Sequence, residues 1–329
     1  MLVLEMPPRG LTQVRFGWSM LGEVTTSLWA AGRDDQPRWI RRWWQEVRPQ
    51  LPSTCLRLLQ ELVPAARAAY IPEFMLPLPR SGASLHEELQ TLATTPAELI
   101  RTEMRLLVTG APEHGIRGVP RPVATQLLDR RGEEVYAAVL ADQVHLYWQV
   151  AIAPYWPSLR AGLDRELHHR GQMLAGDGLA ATFAEVSPRI LWRDGRLLLD
   201  VRAQDHRTAD EGLWCTTSVF LYDRILQGRM SDGTEHIHYT AYGAGAAWQR
   251  RRHGPSAALT DLFGTVRAGL LAGLGEPRTT ADLALRQEVS PSTVSYHLGV
   301  LHRAGLLDRH RDGKYVLYHR TPLGEQISA

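Results

Sequence analysis

The sequence predicts an α+β protein in two parts: a large, mainly helical N-terminal domain with a small sheet, then a smaller C-terminal domain of helices and a β-hairpin. Three observations lead there. At 329 residues the chain exceeds what one hydrophobic core usually organises. Apolar residues recur at helical spacing through most of the first two thirds, then give way to short strand-like runs after Arg189. The stretch GAGAAWQRRRHGPS, residues 243–256, replaces apolar periodicity with glycine, proline and a basic run, as a linker does. The expected division is a domain over residues 1–249, a basic linker over 250–256 and a domain over 257–329.

The composition, 44% hydrophobic and 22% charged, is that of a folded chain and excludes disorder as the main state. No run approaches the roughly eighteen uninterrupted apolar residues of a membrane-spanning helix. The opening MLVLEMPPRG has no basic segment ahead of its apolar residues, and prolines follow at once, unlike a signal peptide. Cys55 and Cys215 are too few for a disulfide framework or a four-thiolate zinc site, so a reducing cytoplasm is expected. Charge divides with the domains. Residues 1–249 carry 26 Lys or Arg against 28 Asp or Glu, and residues 250–329 carry 11 against 7. The overall charge of +2 thus conceals a mildly acidic body and a basic C-terminal quarter. All ten tryptophans lie between Trp18 and Trp248.

Leu2–Leu4 opens the chain as a strand, and Trp18 to Ala31 suits a first helix. A second helix follows Pro37, with Trp39 and Trp43 four apart on one face. Leu127, Val135, Val139, Leu146 and Val150 keep roughly helical spacing over residues 121–150, and Pro154 and Pro157 end that run. A further helix carries Leu159, Leu163 and Leu167. ILWRDGRLLLDV places strand-like residues on either side of Asp194-Gly195, a strong hairpin signal, and LWCTTSVFLY and HIHYTAY are candidates for more strands.

In the last quarter, Leu262, Val266 and Leu270 share one face of a helical LTDLFGTVRAGLLAGL. Thr279, with Asp282 three positions on, resembles a capping box opening the short helix ADLALRQ. Ser290 can cap the next helix with Pro291 at its first position, and Gly305 ends it. LLDRHRDGKYVLYHR then forms two strands about Asp312-Gly313. Helix, short helix, turn, helix and hairpin is the element order of a winged helix-turn-helix.

In such a motif the second helix of the turn serves core and ligand together. Val294, Leu298 and Leu301 recur at i, i+4 and i+7 and face the core. Ser292, Thr293, Ser295, Tyr296 and His297 fall on the outward N-terminal part, which enters the major groove and meets base edges. The helix N-terminus at Ser290 favours phosphate oxygens, and no arginine occurs in this helix before Arg303. Arg309, Arg311 and Lys314 flank the hairpin tip, where a wing reaches the DNA backbone or an adjacent groove. These ten residues are the candidate contacts to double-stranded DNA.

Leu262 to Arg267, Thr279 to Ala284, Ser290 to Leu298, Leu301 to Leu307 and the wing Arg311 to Tyr318 resemble ArsR/SmtB-type regulators over about seventy residues. GLWCTTSVFLYDR and YTAYGAGAAW resemble the uncharacterised region that precedes such domains in some high-GC bacterial regulators. The resemblance implies a homodimeric transcriptional repressor released from its operator by metal or another signal. Two departures argue against metal at the usual sites. Ala281–Gln287 holds no cysteine where thiolate sensors place theirs, and nine residues after Arg320 leave no room for a full C-terminal helix bearing ligands. With that helix short, the large domain is the expected dimerisation element.

Other residues weigh less. His236 and His238 point to one face of a strand, but two histidines without a third placed ligand make no metal site. Asp164 and His168 share a helical face as an ion pair would. The run Arg250-Arg251-Arg252-His253 either tracks a DNA backbone or is simply solvated. Trp39, Trp43, Trp148 and Trp156 are candidates for the walls of an effector pocket, core packing being the other role open to them. No G-x-S-x-G, H-E-x-x-H or phosphate-binding G-x-x-x-x-G-K-[ST] occurs, so neither an enzyme nor a cofactor is expected. The expected function is a cytoplasmic DNA-binding regulator with no membrane association and with a small-molecule effector in its large domain. The alternative is an enzyme or carrier whose winged helix serves only protein contact.

Overall fold

A computed structural model describes residues 1–64, 70–111, 116–201, 205–222, 224–241, 257–274, 277–287, 289–312 and 315–328. The chain divides into two compact units, Met1–Gly245 and Ala246–Ala329. The basic linker expected over residues 250–256, with its arginine run, lies outside the described residues, as does Lys314.

The large unit runs β1 (Leu2–Glu5), α1 (Pro8–Leu11), β2 (Val14–Gly17), α2 (Met20–Ala31), α3 (Arg38–Val47), α4 (Ser53–Leu62), α5 (Leu85–Ala93) and α6 (Ala97–Thr109). It continues with β3 (Gly110–Ala111), β4 (Ile116–Arg117), α7 (Pro122–Arg131), α8 (Glu133–Tyr147), α9 (Trp156–Gly176) and α10 (Gly178–Val186). Strands β5 (Ile190–Arg193), β6 (Arg196–Leu199), β7 (Asp205–Thr208), β8 (Leu213–Ser218), β9 (Leu226–Arg229) and β10 (Glu235–Thr240) complete it.

Two four-stranded sheets, ordered β5-β6-β1-β7 and β2-β8-β10-β9, are both mixed. Strand β1 lies antiparallel to β6 and parallel to β7, while β8 lies parallel to both β2 and β10. The strand expected at Leu2–Leu4 forms as β1, whereas β2 is unexpected, so the first seventeen residues supply a strand to each sheet ahead of the helices. Leu4, Phe183, Leu197, Cys215, Ile237 and Tyr239, none more than 1% exposed, belong to one core of strands and α10. The Asp194-Gly195 hairpin forms as expected: both residues have positive φ (51° and 75°), which the tight two-residue turn requires.

Two helix boundaries differ from the expectation. The first long helix begins at Met20, not Trp18, because Ser19 Oγ accepts from Gly22 N and caps it there. The run over 121–150 is two helices and a π-helical turn at Trp148–Ile152, divided where Gly132 takes φ 76°.

The small unit runs α11 (Ala257–Phe263), α12 (Thr265–Gly273), α13 (Thr280–Gln287), α14 (Pro291–Arg303), β11 (Leu307–Asp312), β12 (Tyr315–Arg320) and α15 (Pro322–Ser328). This is a winged helix-turn-helix, with β11 and β12 as the wing. LTDLFGTVRAGLLAGL is not one helix. Gly264, at φ 76°, ends α11 with a bond from its N–H to Thr260 O and starts α12 by accepting from Ala268 N. Leu262 is consequently 73% exposed, while Leu270 is fully buried.

The core of the small unit is Leu270, Leu283, Val294, Leu298, Leu301 and Tyr318 with their neighbours. Leu298 shows no exposed surface, so Leu298→Ala is expected to destabilise this unit by roughly 2–5 kcal/mol. Amide hydrogen exchange would then accelerate across α12–α14 relative to the large unit.

Candidate nucleic-acid interface

Local chemistry sets both ends of α14. Ser290, in extended conformation, accepts from Thr293 N at 3.2 Å, and Pro291 occupies the first helical position where no N–H is needed. At the far end Gly305, at φ 72°, donates to His302 O, and Leu306 N donates to Leu301 O. That bond pair is a Schellman motif, and its apolar contact is made by the buried Leu301 and Leu306. The preceding helix is held similarly: Asp282 N donates to Thr279 Oγ1 while the Asp282 carboxylate takes Arg278.

With Val294, Leu298 and Leu301 buried, the opposite row of α14 is Ser292, Tyr296, Gly299 and Arg303, at i, i+4, i+7 and i+11. Tyr296 is 67% exposed, and Ser292 and Arg303 are exposed with it. Gly299, absent from the expected contacts, belongs to this row, and its bare backbone permits close approach of a groove surface. Its signal in the sequence was spacing from Tyr296, not residue chemistry.

The other candidates divide by flank. Ser295 is exposed to one side of the row. Thr293 and His297 are half-buried on the other, beside the core. The Thr293 hydroxyl lies 2.8 Å from Ser290 Oγ, which also meets Ser292 Oγ at 2.8 Å. His297 stacks edge-on against Tyr296, ring centroids 5.2 Å apart, with its Nδ1 enclosed and unpartnered.

The wing is pinned to the unit it serves. Arg278 pairs backbone to backbone with Tyr318, and the buried Arg320 donates to Leu274 O. These two arginines are spent on structure. On β11 the exposed cations are Arg309 and Arg311, opposite Tyr318 and Val316. Together with Arg303 they are the exposed arginines of α14 and the wing strands among the described residues.

The residues singled out in the large unit lie elsewhere. Trp43 is buried, donates its Nε1 to Ala151 O at 3.0 Å and packs on Phe220; Trp39 meets the same ring. Trp148 and Trp156 form an edge-to-face pair with centroids 4.9 Å apart, and Trp18 extends it. A cleft of about 500 Å³ in this unit has none of Trp39, Trp43, Trp148 or Trp156 in its wall; the tryptophan there is Trp214.

His236 and His238 do share a face of β10, their rings 5.3 Å apart. Burial holds His236 near 4 and His238 well below its ordinary value, so both are neutral. Among the described residues no group of three or more His, Cys, Asp or Glu is arranged to hold a metal ion. Asp164 pairs with Arg160 at 3.4 Å and accepts from Trp18 Nε1. Cys55 and Cys215 are buried free thiols. No helix among the described residues is long and apolar enough to cross a membrane.

No curated protein and no solved structure matches the chain. A family model described as a helix-turn-helix domain matches residues 265–310, from the start of α12 into the first wing strand. That span contains α13, α14 and the turn between them, so the chain carries a helix-turn-helix domain of the kind that regulators use on DNA.

Proposed function

We propose that the chain is a homodimeric transcriptional repressor of the ArsR/SmtB type that reads a pseudo-palindromic operator with α14. Metal at the family's usual sites is not its signal; a small molecule held by the large unit is. One observation carries the DNA reading: the outward row Ser292–Tyr296–Gly299–Arg303, exposed at Ser292, Tyr296 and Arg303, on a helix capped at both ends, beside a wing bearing Arg309 and Arg311. Tyr296 and Ser292 meet base edges, while the arginines hold phosphates and fix register. Two copies, each with three or four cations at the backbone, neutralise about 6–8 phosphates, a modest footprint.

The test is fluorescence anisotropy with the duplex upstream of the protein's own gene, against a scrambled duplex of equal length. Selective binding is expected, with log K falling against log salt at a slope of roughly −5 to −7. The complex should contain two chains per duplex. Absence of binding to either duplex at low salt would move the function to a protein-contact module on an enzyme or carrier.

A further inference from the structure

We propose that the cleft of the large unit binds an apolar organic cation. Its walls come from distant parts of the chain: Leu21 on α2, Phe74 and Pro79 from the segment before α5, Leu99 on α6, Trp214 on β8, and Met230. At about 500 Å³ it has the size of a small-molecule site, and most of those walls are apolar. Its charge is one-sided. Among the described lining residues, Glu73, Glu87 and Glu88 stand against one cation, Arg80.

Glu73 and Glu88 are tied in place. Glu73 accepts from Ser231 N and Oγ; Glu88 accepts from Ser19 Oγ, Met20 N and Leu21 N at the start of α2. None of these donors is a cation. Burial raises Glu88 above the ordinary carboxylate range, outweighing its hydrogen bonds and the attraction of Arg80. Three carboxylates exceed the one Arg80 charge, so an arriving cation would add to the balance, and each carboxylate has lone pairs left to accept from it. The aromatic wall suits the same ligand. The Trp214 ring already attracts one cation, with the Arg15 guanidinium carbon 5.7 Å from its centroid. Among the described lining residues an anion of equal shape would meet three carboxylates and one guanidinium, with the Arg15 guanidinium also at the Trp214 ring.

The biological use of this site rests on the regulator reading above; its ligand preference does not. The full chain is titrated with tetraphenylphosphonium and, in sodium buffer, with tetraphenylborate, ions of like size and shape and opposite charge. Thermal midpoint and tryptophan fluorescence report binding. The phosphonium should bind at least about tenfold more tightly than the borate. Met230→Arg, at a half-buried wall position, should remove that preference. Glu88→Gln should weaken phosphonium binding, but Glu88 also caps α2, so Met230→Arg is the decisive variant.

Equal binding of the two ions, or no binding of the phosphonium, overturns the proposal and leaves the DNA reading intact. A preference unchanged by Met230→Arg also overturns it, since the cation then binds elsewhere. Operator anisotropy with and without phosphonium is the second arm. Selective cation binding that leaves the DNA complex unchanged supports the site and rejects its use as an effector site.

Discussion

Tyr296→Ala combined with Arg303→Ala is expected to abolish selective operator binding and leave the fold unchanged. Both side chains are exposed on the row opposite the buried residues of α14, so their removal opens no cavity. A lost base contact costs roughly 1–3 kcal/mol, and a lost phosphate contact weakens all sequences alike. Across two copies of the helix the double variant should bind its operator at least about a hundredfold more weakly. The single variants separate the roles. Tyr296→Ala should reduce the ratio of operator to scrambled DNA, whereas Arg303→Ala should weaken both and make the salt slope shallower by about one per copy. His297→Ala is the informative control. Its ring is half-buried beside the core, so it should lower the thermal midpoint of the small unit more than it changes selectivity. Anisotropy on both duplexes, with melts of each variant, decides the matter; undiminished selectivity in the double variant would remove α14 as the reading element.

Glu23→Gln is expected to change how the stability of the large unit depends on pH. Glu23 lies in the first turn of α2, 1% exposed, with both carboxylate oxygens 3.3 Å from Val219 N. Burial outweighs those bonds and pushes its acid up to about 8. A folded-state pKa above the unfolded one means that the fold binds the proton more tightly. The stabilisation is full below about 4.5 and is lost as pH rises through about 8. Wild type should therefore lose roughly 1 kcal/mol per pH unit relative to Glu23→Gln between pH 5 and 8. His236 and His238, with lowered pKa values, act in the opposite sense: their contribution is present above about 6.5 and lost as pH falls toward 4. Both proteins carry that histidine effect, so the difference between them isolates the carboxyl. Urea midpoints at pH 5, 6, 7 and 8 measure it, and parallel curves would show that Glu23 is ionised in the fold.

The legible features share one property. The Asp194-Gly195 hairpin, the Ser290-Pro291 start and the Gly305 stop are each encoded by residues within a few positions of one another. Backbone preference and side-chain caps act at that range, so composition alone announces them. Gly264 shows the limit of periodicity. Leu262, Val266 and Leu270 keep helical spacing, yet a single glycine at positive φ turns the first of them to solvent.

Sequence alone thus determined the order of helix, turn, helix and wing over residues 280–320, the ends of α14 and the buried stripe that makes its other side available to DNA. Only the tertiary structure decided the rest. Leu2 pairs with Leu199, Phe16 with Cys215, and Glu88 caps a helix that begins at Met20. It also placed Trp214, and not Trp39 or Trp148, in the wall of the cleft. Those partners are separated by tens to hundreds of residues, and no local preference encodes which distant strand or helix end completes a given one. That choice is made when burial and hydrogen bonding are satisfied across the whole unit together.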